Sequence, residues 1–310
     1  MNKIFYDVLI IGGGPGGMTA AIYAKRSNLS VAFIEKSGPG GKMLLTSSIE
    51  NYPGFEKISG AELSLKIYNQ TKSLGILHIY GEVISFDKED DNFSIKTKDG
   101  KIYFSKTIII ATGMSENKFG VPGEEKLIGK GISYCAICDS AFYKNKEIAV
   151  LGGGNSALKE AIFLSKIAKK VHLIHRFDYF EGQKIEIDLI KSIDNIEIKT
   201  GQEVQSFNGE NKLESITYKD AKNGKETTLN IDGAFSYIGY KPITNYVNEE
   251  LVELDKSFVV TDDFMKTKTP GIFAIGSLRF TPYRQIIITE SNGILAALEA
   301  EKYINEKNKS

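Results

Sequence analysis

The sequence predicts an α/β protein built from two Rossmann-like dinucleotide-binding units, and three observations carry that reading. The chain has 310 residues, enough for about two domains. Its apolar content, 42%, is sufficient to fill ordinary globular cores and too high for a disordered chain. Most informative, a strand–glycine turn–helix–strand pattern occurs twice at an offset of 140 residues.

In the first copy, Asp7-Val8-Leu9-Ile10-Ile11 reads as a buried strand. It runs into Gly12-Gly13-Gly14-Pro15-Gly16-Gly17, a helix is expected over 18–26, and Val31-Ala32-Phe33-Ile34-Glu35 forms the next strand. In the second copy, Glu147-Ile148-Ala149-Val150-Leu151 leads into Gly152-Gly153-Gly154-Asn155-Ser156-Ala157, with a helix expected over 158–168 and a strand over 171–175. The first glycine permits the tight turn and the second admits a pyrophosphate close to the backbone. The third small residue, Gly17 or Ala157, lets helix pack on strand. The diphosphate then rests on amides at a helix N-terminus. One such motif is a weak signal; two in the same context are a strong one. The second strands end differently. Glu35 offers a carboxylate to a ribose 2′-hydroxyl, whereas His175-Arg176 lacks the acid and brings a cation, which points toward a 2′-phosphate.

Composition removes several function classes. With 39 basic and 39 acidic residues the net charge is zero, which argues against nucleic acid or an anionic membrane as partner. The longest apolar runs are strand-sized, well short of the roughly 20 residues that span a bilayer. Asp7 interrupts the apolar N-terminal region, so no targeting segment is expected and a cytoplasmic location is. Two cysteines and three scattered histidines (His78, His172 and His175) make no metal cluster and no disulfide framework. The cysteines form one motif, Cys135-Ala136-Ile137-Cys138, followed by Asp139. Such a spacing serves as half a zinc site, as a buried apolar pair, or as a dithiol–disulfide couple. Zinc requires a second pair that the sequence lacks, and the couple fits a reducing compartment best.

Taken together, these motifs resemble the low-molecular-weight bacterial thioredoxin reductases along essentially the whole chain. The matching stretches are 12–17 with Glu35, Gly40-Gly41, Glu50-Asn51-Tyr52-Pro53-Gly54, Ala111-Thr112-Gly113, Cys135-x-x-Cys138-Asp139 and 152–157. Tyr237-Ile238-Gly239-Tyr240-Lys241-Pro242, Thr269-Pro270-Gly271-Ile272-Phe273-Ala274 and Arg284-Gln285 add to them. The resemblance implies a homodimeric, two-domain flavoenzyme of the three-layer ββα type. An FAD domain over 1–117 and 244–310 would be interrupted by an inserted NAD(P)H-type domain over 118–243 that carries the cysteines. It implies FAD contacts at Gly12, Gly14, Pro15, Gly16, Gly17, Glu35, Gly41, Asn51, Ala111, Thr112, Gly113, Gly276, Ser277, Arg284 and Gln285. Cys138 would face the flavin, Cys135 would attack the disulfide of thioredoxin, and Asp139 would handle the proton. Domain rotation about two linkers would let one dithiol serve both partners.

Five positions, at four places in the chain, depart from that family's pattern. Its His-Arg-Arg stretch, with a further arginine four residues on, is here His175-Arg176-Phe177 with Glu181 in the last place. Losing such a charge-assisted pair costs on the order of 1–3 kcal/mol. Lys159 replaces a carboxylate, Ser277 replaces an aspartate, and Ser140 replaces a glycine. These departures make Gly152, Gly154, Asn155, Ser156, Ala157, His175 and Arg176 read as a vestigial NADPH site. They tip the expected donor toward reduced ferredoxin, as in a pyridine-nucleotide-independent branch of the family. The alternatives are a standard NADPH-dependent thioredoxin reductase, a flavin NAD(P)H oxidase or ferredoxin–NADP reductase-like enzyme, and a non-catalytic redox sensor.

Overall fold

A computed structural model describes residues 4–46, 49–281 and 283–309. The first residues of the segment read above for a targeting signal lie outside them. The chain divides into two compact units, 1–115 with 241–310 and 116–240. These crossings fall two and three residues before the expected bounds, 117/118 and 243/244.

The first unit opens with β1 (Phe5–Ile11), α1 (Pro15–Arg26), β2 (Val31–Glu35), α2 (Gly60–Ser73) and β3 (Leu77–Tyr80), followed by β4 (Val83–Glu89), β5 (Asn92–Thr97) and β6 (Ile102–Ile110). The sheet order is β3-β2-β1-β6-β5-β4. β1 lies parallel to β2 and β6, while β4, β5 and the start of β6 form an antiparallel meander. Because side chains alternate along a strand, β1 feeds two cores. Val8 and Ile10 pack with Met18, Ala21 and Phe33 on the helix side, and Leu9 and Ile11 pack with Phe86, Phe93 and Ile95 on the meander side. A strand buried on both faces must be apolar without interruption, which is why it was legible.

The chain leaves through β7 (Met114–Glu116) and builds the second unit on the same plan. After α3 (Glu124–Leu127), β8 (Ile132–Ser133) and α4 (Ala136–Asp139) come β9 (Glu147–Leu151), α5 (Asn155–Ser165), β10 (Lys170–Ile174), α6 (Lys184–Lys191) and β11 (Ile196–Lys199). β12 (Gln202–Asn208), β13 (Ser215–Asp220), β14 (Glu226–Asn230) and β15 (Gly233–Ser236) complete it. The parallel order is β11-β10-β9-β15-β8, and β12-β13-β14 is the separate antiparallel meander. Ile148 and Val150 pack on Ala157, Leu158, Ala161 and Leu164 of α5, and Ala149 and Leu151 pack on Val204, Phe207 and Ile216 of the meander. Sheet, helices and meander make the three layers in each unit.

β16 (Tyr240–Pro242) returns the chain and pairs with β7. The hairpin β17 (Leu254–Asp255) and β18 (Phe258–Val259) follows. β19 (Ile272–Ala274) then pairs with the end of β6, and α7 (Ile286–Lys307) crosses α1. That crossing is tight because glycines face each other: a Cβ on Gly293 would run into the Gly16 carbonyl oxygen and stand 3.1 Å from the Ala20 nitrogen. The helices of both repeats begin earlier than the sequence suggested. Pro15 occupies the first turn of α1, where its missing N–H costs nothing, and α5 starts at Asn155.

Candidate active site

In the first unit the predicted residues converge on one turn. Gly12 has φ +113°, and a Cβ there would strike the Ala111 carbonyl oxygen, so only glycine fits between β1 and the end of β6. Gly14 faces open space, leaving its backbone approachable. Glu35 Oε2 accepts the Gly13 N–H at 2.8 Å, and its Oε1 accepts from Ser37 N and Oγ, both at 2.9 Å. Gly40 N–H donates to the Gly13 carbonyl at 2.8 Å, which lays Gly41 beside Gly14. Ala111 donates its N–H to Ile11 at 2.7 Å, Thr112 Oγ1 donates to the Ile243 carbonyl at 2.9 Å, and Gly113 accepts from Ile243 N at 3.0 Å.

A second group gathers around the start of α7. Asn51 Nδ2 donates to Gln285 Oε1 at 2.9 Å, and Tyr52 donates to Glu290 Oε2 at 3.0 Å. Burial raises the Glu290 carboxyl, and burial together with that carboxyl pushes the Tyr52 hydroxyl up to about 12. Thr289, which motif reading missed, joins the two groups. Added Cβ atoms on Gly16 and Gly276 would stand 2.7 and 2.9 Å from its Cγ2. Gly276 N–H donates to Asn292 Oδ1 at 3.2 Å. Ser277 follows Gly276 in a 3-10 turn. Arg284 is instead exposed, its guanidinium 5.9 Å from the Phe258 ring centre.

In the second unit Cys135 and Cys138 form a disulfide with Cα atoms 5.4 Å apart. Cys135 caps α4, its Sγ accepting the Cys138 N–H at 3.2 Å and its carbonyl the Asp139 N–H at 3.2 Å. Two supporting residues carry roles that motif reading did not assign: Ser133 lies in no quoted motif, and Tyr237 opens the matching stretch 237–242. Ser133, buried on β8, accepts the Cys135 N–H at 3.0 Å and donates to Asp139 Oδ2 at 2.6 Å, so one hydroxyl fixes both cysteine backbone and carboxylate. Tyr237 Oη accepts the Ala136 N–H at 3.0 Å, filling an orphan position at the helix start. Cys135 is 9% exposed, whereas Cys138 is open. Ser140, two residues beyond Cys138, is buried.

The second glycine turn keeps its shape. Gly152 has φ +138° and abuts the Tyr237 carbonyl, Gly154 faces open space, and Ala157 packs beneath. Asn155 Oδ1 accepts the Gln183 N–H at 2.7 Å, and Ser156 is exposed on the first turn of α5. His175 is buried and lies directly on Gly153, its ring stacked on Phe180 at 5.9 Å. Burial lowers its pKa, so the ring is neutral near pH 7. Arg176 is exposed, with its guanidinium 4.4 Å from the Phe177 ring centre. Lys159 sits 3.8 Å from Glu186 of α6, so that departure supplies an ion pair within the unit. On the same turn Glu160 is half-buried, and burial raises its carboxyl to about 7.

A strand–glycine turn–helix unit used twice, with a Cys-x-x-Cys disulfide couple in the second copy, is the layout of a flavoprotein disulfide reductase. Residues 6–298 match the model of the pyridine nucleotide-disulphide oxidoreductases. A thioredoxin reductase from Mycoplasma genitalium is 40% identical over 96% of this chain and 95% of that relative. The crystal structure of Lactococcus lactis thioredoxin reductase superposes with TM-score 0.90 at 40% identity, covering 97% of this chain and 99% of that one. The chain belongs to the pyridine nucleotide-disulphide oxidoreductase family, in its low-molecular-weight thioredoxin reductase branch. It is an oxidoreductase of the flavoprotein class that acts on a disulfide. A ferredoxin-flavin thioredoxin reductase from Clostridium acetobutylicum is more distant, at 30% identity and TM-score 0.56. These matches weigh against the expectation that placed ferredoxin ahead of a pyridine nucleotide. The physical reason is local: the departures leave the glycine turn intact, and Lys159 answers to Glu186.

Proposed function

We propose that this enzyme reduces thioredoxin with electrons taken from a reduced pyridine nucleotide through FAD. The observation that carries the reading is the Cys135–Cys138 couple, whose carboxylate Asp139 is held by Ser133, in a unit that repeats an intact dinucleotide turn. The first unit suits FAD. Gly14 presents open backbone to a diphosphate between Gly12 and Gly17, and Glu35 stands at the strand end for a ribose hydroxyl. Gly41, Asn51, Ala111, Thr112, Gly113, Gly276, Ser277 and Gln285 surround the same turn or the start of α7, and Arg284 would have to leave Phe258 to join them. Bound FAD supplies the two-electron relay between nicotinamide and disulfide.

On the thiol side, the reduced pair engages thioredoxin through Cys135. Its thiolate attacks one sulfur of the partner's disulfide, and the displaced sulfur takes a proton. Cys138 then attacks Cys135, restoring the internal disulfide and releasing reduced thioredoxin. Asp139 gives and takes the protons, and Ser133 holds its carboxylate. Cys135 is buried, so this attack requires it to be uncovered. Rotation about the two chain passages, β7 and β16, would alternate the pair between its two partners. The resemblance also supports a homodimer in the cytoplasm, a compartment whose reducing poise suits a working dithiol.

The test is anaerobic mixing of the oxidised, FAD-loaded enzyme with NADH or NADPH. Rapid bleaching of the flavin, followed by thioredoxin-dependent reduction of insulin disulfides, is expected. Bleaching by reduced ferredoxin and by neither nucleotide would overturn the donor, and the ferredoxin-linked reading would stand.

A further inference from the structure

The two repeats end their second strands differently, and that difference bears on which nucleotide is used. In the first unit Glu35 occupies that end and reaches Gly13 N–H at 2.8 Å. In the second unit the equivalent residue, His175, is turned inward. Its ring lies on Gly153, Phe177 meets it edge-on at 5.4 Å, Phe180 stacks on it, and its buried Nε2 has no hydrogen-bond partner. A buried neutral imidazole offers no charge to a phosphate.

What returns to the turn instead is Glu181. Its N–H donates to the Gly153 carbonyl at 2.9 Å, and its exposed carboxylate is close enough to act electrostatically on His175. Of the cations nearby, Arg176 lies over Phe177, itself stacked on Tyr179 at 5.6 Å, Lys222 pairs with Asp178 at 3.0 Å, and Lys184 is exposed at the start of α6. A ribose 2′-phosphate brings nearly two negative charges beside that carboxylate, whereas a 2′-hydroxyl brings a donor that the carboxylate accepts.

We propose that Glu181 selects the unphosphorylated dinucleotide, so that the electron donor is NADH in preference to NADPH. The proposal rests on the pyridine-nucleotide reading above and names the member of that class. Discrimination is set in binding and carries through to flavin reduction. Glu181 acts as a specificity residue at the adenosine end, remote from the nicotinamide and the cysteines.

The experiment compares NADH with NADPH in anaerobic flavin reduction by the holoenzyme, and NAD+ with NADP+ in calorimetric titration. NADH should exceed NADPH in kcat/KM by about tenfold or more, and NAD+ should bind correspondingly tighter. Glu181→Arg should move both ratios about tenfold or more toward the phosphorylated form, and the near-isosteric Glu181→Gln should narrow them. If the arginine variant fails to fold, the wild-type ratio and Glu181→Gln decide. Equal or better use of NADPH by the wild type would overturn the proposal while leaving the pyridine-nucleotide reading intact. Failure of both nucleotides to bind or to bleach the flavin, with reduced ferredoxin active, would remove both.

Discussion

Ser133 illustrates how one small side chain organises the chemistry. Its hydroxyl bridges the Cys135 amide and the Asp139 carboxylate, so removing it frees the acid and takes the acceptor from the Cys135 N–H. Ser133→Ala should slow dithiol–disulfide exchange with thioredoxin by about 10-fold, in line with a lost hydrogen bond to a charged group. Stopped-flow reoxidation at saturating thioredoxin measures this, and an unchanged rate would dismiss the positioning role. Glu160 gives a stability signature. Burial raises its pKa from 4.5 to about 7, so the folded protein holds a proton there that the unfolded chain releases. Stability from this group is therefore present below about pH 4.5 and lost as pH rises toward 7, on the order of 2–3 kcal/mol at most. Glu160→Gln should flatten that fall when denaturation midpoints at pH 5 and pH 8 are compared. A difference as large as the wild type's would count against the assignment.

At the level of elements, β1 and β9 were legible because strands buried on both faces must be continuously apolar, and each glycine turn sits where such a strand ends. The supports of the site were not. Ser133, Tyr237 and Thr289 are single polar residues that nothing periodic marks: Ser133 lies two residues before Cys135, Tyr237 reaches Ala136 across 101 residues of chain, and Thr289 sits on α7. Lys159 looked like damage to a nucleotide site because its partner, Glu186, lies on another helix. His175 could turn outward to a ligand or inward to a core, and only the packing of Phe177 and Phe180 decides. The α1–α7 crossing likewise depends on Gly293, which no motif singled out. Gly293→Ala forces a methyl against Gly16 and should cost about 1–3 kcal/mol of stability. It should also weaken FAD retention, since Gly16 belongs to the dinucleotide turn. A thermal unfolding curve and flavin content matching the wild type would contradict this packing.

For the whole molecule, the chain's logic is one architecture used twice, with the redox pair in the second copy and the first interrupted to receive it. The discontinuity was legible only through resemblance, because a returning segment such as β19 with α7 carries no local sign of the sheet it rejoins. Among the described residues no helix is long and apolar enough to cross a membrane, and no cluster of side chains suits a metal. Thiol chemistry rests on Cys135 and Cys138, the two cysteines of the sequence. The most direct test is Cys138→Ser in the FAD-loaded enzyme, followed in one experiment for flavin reduction and for thioredoxin turnover. The account predicts that the flavin still accepts electrons from the pyridine nucleotide while thioredoxin reduction falls by about 1,000-fold or more. Full thioredoxin turnover by this variant would contradict it.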